Sequence, residues 1–177
     1  RKESIDSMPG IYRLSVDNLV KDIKEARDLG IKAVLIFGIP EKKDNYASGA
    51  YDKNGIVQKA ALAIRKDIKD IVIVTDACLC SYASHGHCGI VKAQNAKSKA
   101  QSYSIDNDET LKILARIALS HAEAGADFIA PSAMMDGQVM AIREELNKNG
   151  FQDTGILAYS AKYASNFYSP FREALDS

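Results

Sequence analysis

The sequence predicts an α/β fold of repeated strand–helix units around a parallel sheet. Three observations predict it. Short apolar runs without helical polarity recur along the chain. Amphipathic segments of helical period fill the gaps between them. The runs are apolar throughout rather than alternating, as strands are when helices cover the sheet. With 177 residues, 46% of them hydrophobic, the chain can bury a real core, and its length suggests one domain.

The elements follow in order. A helix over 17–29 places Leu19, Val20, Ile23 and Ala26 on one face and stops at Gly30. A strand at 33–39 (AVLIFGI) is the longest apolar run. A helix over 54–68 carries Ile56, Ala60, Ala63 and Ile64, and the β-branched strand 71–75 (IVIVT) comes next. After a long loop, a helix over 108–124 carries Leu111, Leu114, Ala115 and Ala118. Asp108 is expected to cap its start and Gly125 to mark its end. The strand 127–130 (DFIA) runs into Pro131. A helix over 138–149 carries Val139, Ile142 and Leu146, and 155–160 (GILAYS) is the fourth strand. An open doubly wound sheet and a (β/α)₈ barrel both fit this order. Four strands cannot close a barrel, which typically needs about 250 residues. No strand is read before the first helix and no helix after the last strand. The chain therefore reads as part of a larger domain, cut at both ends.

Composition narrows the function classes. Lys plus Arg and Asp plus Glu are 23 each, so the formal net charge is zero, which argues against a nucleic-acid binder. No apolar run approaches a membrane span, and the charged N-terminus has no apolar segment behind it, so neither a membrane segment nor a signal peptide is expected. The three cysteines all lie between Cys78 and Cys88. An odd, clustered set is a poor disulfide framework, and a reducing, cytoplasmic setting is the simpler expectation.

That cysteine stretch, DACLCSYASHGHCG, begins where the second strand ends, the position where functional loops gather in parallel α/β proteins. Three thiolates with one open position suit Zn²⁺, and His85 and His87 add two further donors. Gly86 and Gly89 let the backbone turn so that Cys88 can meet Cys78 and Cys80. The alternative is three packed or solvated thiols with incidental histidines, and C-x-C-x₇-C matches no familiar finger spacing.

Lys162 stands at the carboxyl end of the last strand, with Tyr159, Tyr163, Phe167, Tyr168 and Phe171 close in sequence. Burial among these rings is expected to lower its pKa and expose a nucleophilic amine able to form a Schiff base. Arg172, ten residues on, can clamp a carboxylate. The alternative is a solvated loop lysine. Met134-Met135 are expected to pack in the core, and Asp136-Gly137 to start a helix.

Together TDACLCSYASHGHCG, IAPSAMMDGQ and YSAKYASNFYSPFRE resemble the porphobilinogen synthases, also called δ-aminolevulinic acid dehydratases. MPGIYRLS and LIFGIPEKKD extend the resemblance over nearly the whole chain, and the motifs stand in the family's order. The resemblance implies a (β/α)₈ TIM barrel of which this chain covers roughly the first half, about four strands. Residues 1–177 would then be a partial catalytic domain, with the N-terminal arm and the C-terminal half of the barrel outside it. It implies a lyase that condenses two molecules of 5-aminolevulinate into porphobilinogen with loss of water, in tetrapyrrole (haem) biosynthesis. A homo-oligomer is implied too, an octamer in the family, with no nucleic-acid or membrane partner. By resemblance Cys78, Cys80 and Cys88 are the ligands of a catalytic Zn²⁺. Lys162 matches one of two Schiff-base lysines, Arg172 an arginine that holds a substrate carboxylate, and Asp76 and Ser132 polar residues of the same pocket. The second lysine would lie beyond Ser177, so this chain by itself is expected to be inactive.

The sequence also departs from the family's pattern. Residues 92–104 are longer and more polar than the family's pattern and read as a mobile surface insertion. Ala133 and Gln138 stand where many relatives carry Asp and Arg. Two other readings remain open: a Schiff-base (class I) aldolase built on Lys162, which leaves the thiols unexplained, and a non-catalytic zinc or redox-sensing fold, which leaves Lys162 and Arg172 unexplained.

Overall fold

A computed structural model describes residues 1–92, 104–163, 165–166 and 168–176. Strands β1 (Lys2–Ser4) and β2 (Tyr12–Leu14) form an antiparallel ribbon ahead of helix α1 (Val16–Asp28). Next come β3 (Ala33–Ile36), a 3₁₀ turn (Ser48–Ala50), α2 (Ile56–Asp67) and β4 (Val72–Ala77). A second antiparallel ribbon, β5 (Ile90–Lys92) and β6 (Ser104–Asp106), leads into α3 (Asn107–Glu123). The chain continues through β7 (Phe128–Pro131), α4 (Gln138–Lys148), β8 (Gly155–Ile156) and α5 (Tyr168–Leu175).

The four apolar runs pair in parallel in the order β3-β4-β7-β8. Ile36 lies beside Thr75, Thr75 beside Ile129, and Ile129 beside Ile156. This register brings the carboxyl ends of all four strands to one rim, where the thiol loop and Lys162 emerge. Ile36, Val57, Ile64 and Ile73 pack with Val20 and Ile23 into one buried cluster. Leu79, Leu114, Ile117, Ile129, Ile142 and Leu146 form a second one under the thiol loop.

The expectation of about four strands is corrected: eight strands are present among the described residues, in three sheets. The four additional strands are three-residue ribbons, too short to show an alternating pattern. The expected loop at the chain's end is also corrected, because α5 follows β8. Strand β3 stops at Ile36 and β8 at Ile156, short of their apolar runs, which leaves Phe37 and Tyr159 for the rim. Asp106, not Asp108, caps α3, its carboxylate accepting from the Glu109 N–H at 3.1 Å. Gly125 does end that helix, in the left-handed region at φ 97°. Of the expected insertion, residues 93–103 lie outside the described residues, while its ends pair as β5 and β6. Met134 is 68% exposed rather than in the core, whereas Met135 packs against it and Gly137 precedes α4 as expected. No helix among the described residues is long and apolar enough to cross a membrane.

Helix α3 buries a histidine that its apolar stripe did not suggest. His121 is 1% exposed beside Ser120, which accepts a hydrogen bond from buried Gln58 of α2 at 2.9 Å. Burial pushes its imidazole down to about 4, against the pull of the Ala50 backbone. Between pH 6.5 and 4 the unfolded chain therefore binds a proton that the folded chain refuses. Its penalty is absent above pH 6.5 and grows as pH falls to 4, by roughly 3 kcal/mol. Urea unfolding should show the wild type losing stability more steeply than His121→Leu across that window; equal slopes would overturn the assignment.

Candidate active site at the strand rim

Cys78 follows β4 directly and is buried, while Cys80 and Cys88 are partly buried. The Leu79 carbonyl accepts from the Tyr82 and Ala83 N–H groups at 2.9 and 2.8 Å, which coils the loop. Gly86, at φ 68°, turns it back and brings Cys88 to the first two thiols. All three Sγ atoms lie within 4.8 Å of one another, with Cys78 and Cys80 3.4 Å apart.

Neighbouring segments fix this loop from two sides. The Asp44 N–H donates to the Tyr82 carbonyl at 3.2 Å, and the Ser84 N–H donates to the Asp44 carbonyl at 3.0 Å. The Asp44 carboxylate in turn accepts from the Tyr46 and Ser48 N–H groups. Tyr82 packs so closely on Gly38 that a Cβ there would run into its hydroxyl and into Val57. At the exit, the Ile90 N–H donates to the Thr110 hydroxyl of α3 at 2.9 Å.

The thiols are electrostatically coupled. Hydrogen bonds from Cys78 and Cys80 hold the Cys88 thiol far below its ordinary value, as the thiolate of the group. Those same contacts push Cys80 upward, and Cys78 rises to about 11. A tetrahedral zinc with Zn–S bonds of about 2.3 Å needs sulfurs about 3.8 Å apart, so the triad fits such an ion with modest adjustment. The cluster is a set of three soft ligands able to hold a metal ion.

Beside it lies a cavity of about 440 Å³, a size suited to a small metabolite. Cys80, Cys88, Ser132, Lys162 and Arg172 all line it. The Lys162 Nζ donates to the Ser132 carbonyl at 2.7 Å, which ties the last rim segment to the end of β7. Burial disfavours its ammonium, but Cys88, Cys78, Tyr168 and Cys80 favour it and prevail, so its pKa lies above the ordinary value. This corrects the expected depression: the charge of the nearby sulfurs outweighs partial desolvation. Asp76 shows the reverse. Burial, with Cys78 adding to it, raises its carboxyl to about 7, against a hydrogen bond from Ser132 and the charge of Lys162. Its Oδ1 is shielded from solvent and has no partner among the described residues.

Five of the seven expected site residues thus line one cavity, while Asp76 and Cys78 lie among its walls' neighbours. The aromatic crowd around Lys162 is thinner than expected. Tyr159, Tyr168 and Phe171 line the cavity, Tyr163 is 85% exposed, and Phe167 lies outside the described residues. His85 and His87 stack at 5.4 Å, and His87 also lines the cavity. Phe37 was not singled out in the sequence; it meets Phe171 edge-on at 5.1 Å and closes one wall. Its signal was its position just beyond a strand's carboxyl end.

The model of the family "Delta-aminolevulinic acid dehydratase" matches residues 1–177. A delta-aminolevulinic acid dehydratase of Methanothermus sociabilis is 60% identical over 99% of this chain and 52% of its own length. One from Synechocystis is 52% identical over the same shares. The chain spans about half the length of the curated relatives it matches. Among solved structures, the dehydratase (porphobilinogen synthase) of Toxoplasma gondii in complex with the reaction product porphobilinogen superposes with a TM-score of 0.91. It is 44% identical, and the likeness covers 99% of this chain and 49% of that one. The matched fold therefore takes in nearly the whole chain with its eight strands, which replaces the first-half, four-strand description drawn from the sequence. With a family model matched from end to end and a cavity that joins a three-thiol cluster able to hold a metal ion to a strand-end lysine, the chain belongs to the delta-aminolevulinic acid dehydratase family.

Proposed function

We propose that the protein carrying this chain condenses two molecules of 5-aminolevulinate into porphobilinogen, with loss of water, and does so as a zinc-dependent homo-oligomer. The observation that carries this reading is the single cavity lined by Lys162, Arg172, Cys80 and Cys88. Such a cavity offers an amine for a ketone, a guanidinium for a carboxylate and soft ligands for a cation, each matching a part of this chemistry.

Pyrrole formation needs one C–C bond, one C–N bond and loss of two waters. The Lys162 ammonium first gives up a proton to solvent; the free amine then attacks the ketone of one substrate, and water leaves as the protonated imine forms. The iminium draws electrons from the adjacent carbon and makes its proton removable. Arg172 pairs with the same substrate's carboxylate and fixes its reach. Asp76, with a pKa near 7, can take or return a proton at working pH, and its hydrogen bond to Ser132 orients it. A zinc ion held by Cys78, Cys80 and Cys88 would supply Lewis acidity toward an amine, carbonyl or water of the second substrate. Holding both substrates in register contributes as much as any one group.

The test is product analysis with the full protein: 5-aminolevulinate should yield a chromogenic pyrrole. A lysine adduct with no pyrrole would favour an aldolase instead, and bound zinc with no adduct a non-catalytic fold.

A further inference from the structure

Helix α5 carries Tyr168, Phe171, Arg172 and Leu175 into the cavity wall, yet it has eight residues and one buried side chain, Leu175. A helix this short needs help at its ends, because its last carbonyls have no partners within it. The help comes from residues about 160 positions earlier. Arg13 of β2 donates from Nε to the Ala174 carbonyl at 2.9 Å and from Nη2 to the Glu173 carbonyl. Its remaining nitrogen, Nη1, pairs with Glu3 of β1 at 3.1 Å. The planar guanidinium thus bridges the N-terminal ribbon and the carboxyl end of α5, where the helix dipole favours a cation. Lys43 adds a second cation there through Asp176 at 3.0 Å, and the Ser7 hydroxyl donates to the Pro170 carbonyl at 3.4 Å.

Behind α5 lies a second, polar cavity of about 560 Å³, lined by Glu3, Asp6, Glu173 and Asp176 together with Arg13 and Arg172. Arg172 therefore faces two cavities: the active-site cavity, and an acidic one able to draw its guanidinium away. We propose that Arg13 is a positioning residue for Arg172: it caps α5 and occupies the acidic side, so that Arg172 stays directed at the substrate carboxylate. The inference rests on the reading of Arg172 under Proposed function.

The test is a double-mutant cycle in the full-length protein, with kcat and KM for 5-aminolevulinate and circular dichroism as readouts. Arg172→Ala should raise KM by about 10- to 100-fold, the range for losing a charge-assisted pair. Arg13→Met should raise KM by about tenfold with kcat within about twofold, and should add nothing in the Arg172→Ala background. Arg13→Lys keeps the charge but loses the fork, so it should fall between; it carries the test if Arg13→Met fails to fold. An unchanged KM in Arg172→Ala would overturn the underlying reading. A normal KM in both Arg13 variants, or an Arg13 effect that persists undiminished without Arg172, would overturn the positioning role alone.

Discussion

Lys162→Ala in the full protein should reduce pyrrole formation by roughly 10³-fold or more, because among the described residues no other group lining the cavity offers an amine to the substrate ketone. The fold should survive the change. Lys162 is only partly buried, and losing its hydrogen bond to the Ser132 carbonyl leaves an acceptor that water can reach through the open cavity. The deletion leaves no hole in either apolar cluster, since Lys162 belongs to neither. Borohydride reduction in the presence of substrate, followed by peptide mapping, reads the imine directly. An adduct on the Lys162 peptide, with native circular dichroism and lost turnover in the variant, is the expected result. Full activity of Lys162→Ala would refute the role. Mapping must resolve this peptide, since the family resemblance implies a second reactive lysine.

The parts of this site differ in how openly the sequence announces them. The sheet strands were legible because 71–75 and 33–39 are continuous apolar runs, and such runs have few alternatives to a buried strand. The ribbons were not, since three residues carry no period; they are fixed by contacts such as Lys2 with Leu14 across the first ribbon. Helix α5 was hidden by Tyr168-Ser169-Pro170, which reads as a loop, although proline costs little in a first turn that lacks intrahelical donors anyway. The thiols were legible from their clustering alone. Their cavity was not, because one wall exists only where Phe171 of α5 meets Phe37 beyond β3. The direction of the Lys162 shift was misread for a related reason. Sequence neighbours suggest an apolar site, while most of the groups that decide its charge, Cys88, Cys78 and Cys80, come from a loop far earlier in the chain. The link from Arg13 to α5 carried no local signal, since the carbonyls it bonds there belong to Glu173 and Ala174.

Metal binding to the triad should release about two protons near pH 7, and Cys80→Ala should lower both that number and the amount of zinc retained. The argument starts from the sulfurs' spacing. With Cys78 and Cys80 3.4 Å apart and Cys88 within 4.8 Å, three thiolates would repel one another strongly. One negative charge is therefore favoured and the second and third are not. Cys88 takes that charge, while Cys78, raised to about 11, and Cys80, raised further, keep their protons at pH 7. A divalent cation removes the repulsion and needs all three sulfurs deprotonated, so the two retained protons must leave. Binding should therefore tighten as pH rises, since each proton released becomes easier to lose. Calorimetry in buffers of different ionisation enthalpy counts the protons, and metal analysis after chelator competition gives the retention. In Cys80→Ala one retained proton is gone, so release should fall to about one per metal, and a two-sulfur site should lose zinc to a chelator that the wild type resists. Unchanged zinc retention in Cys80→Ala would remove Cys80 from the ligand set. Release of no protons by the wild type would show that the three thiols are not the site at all.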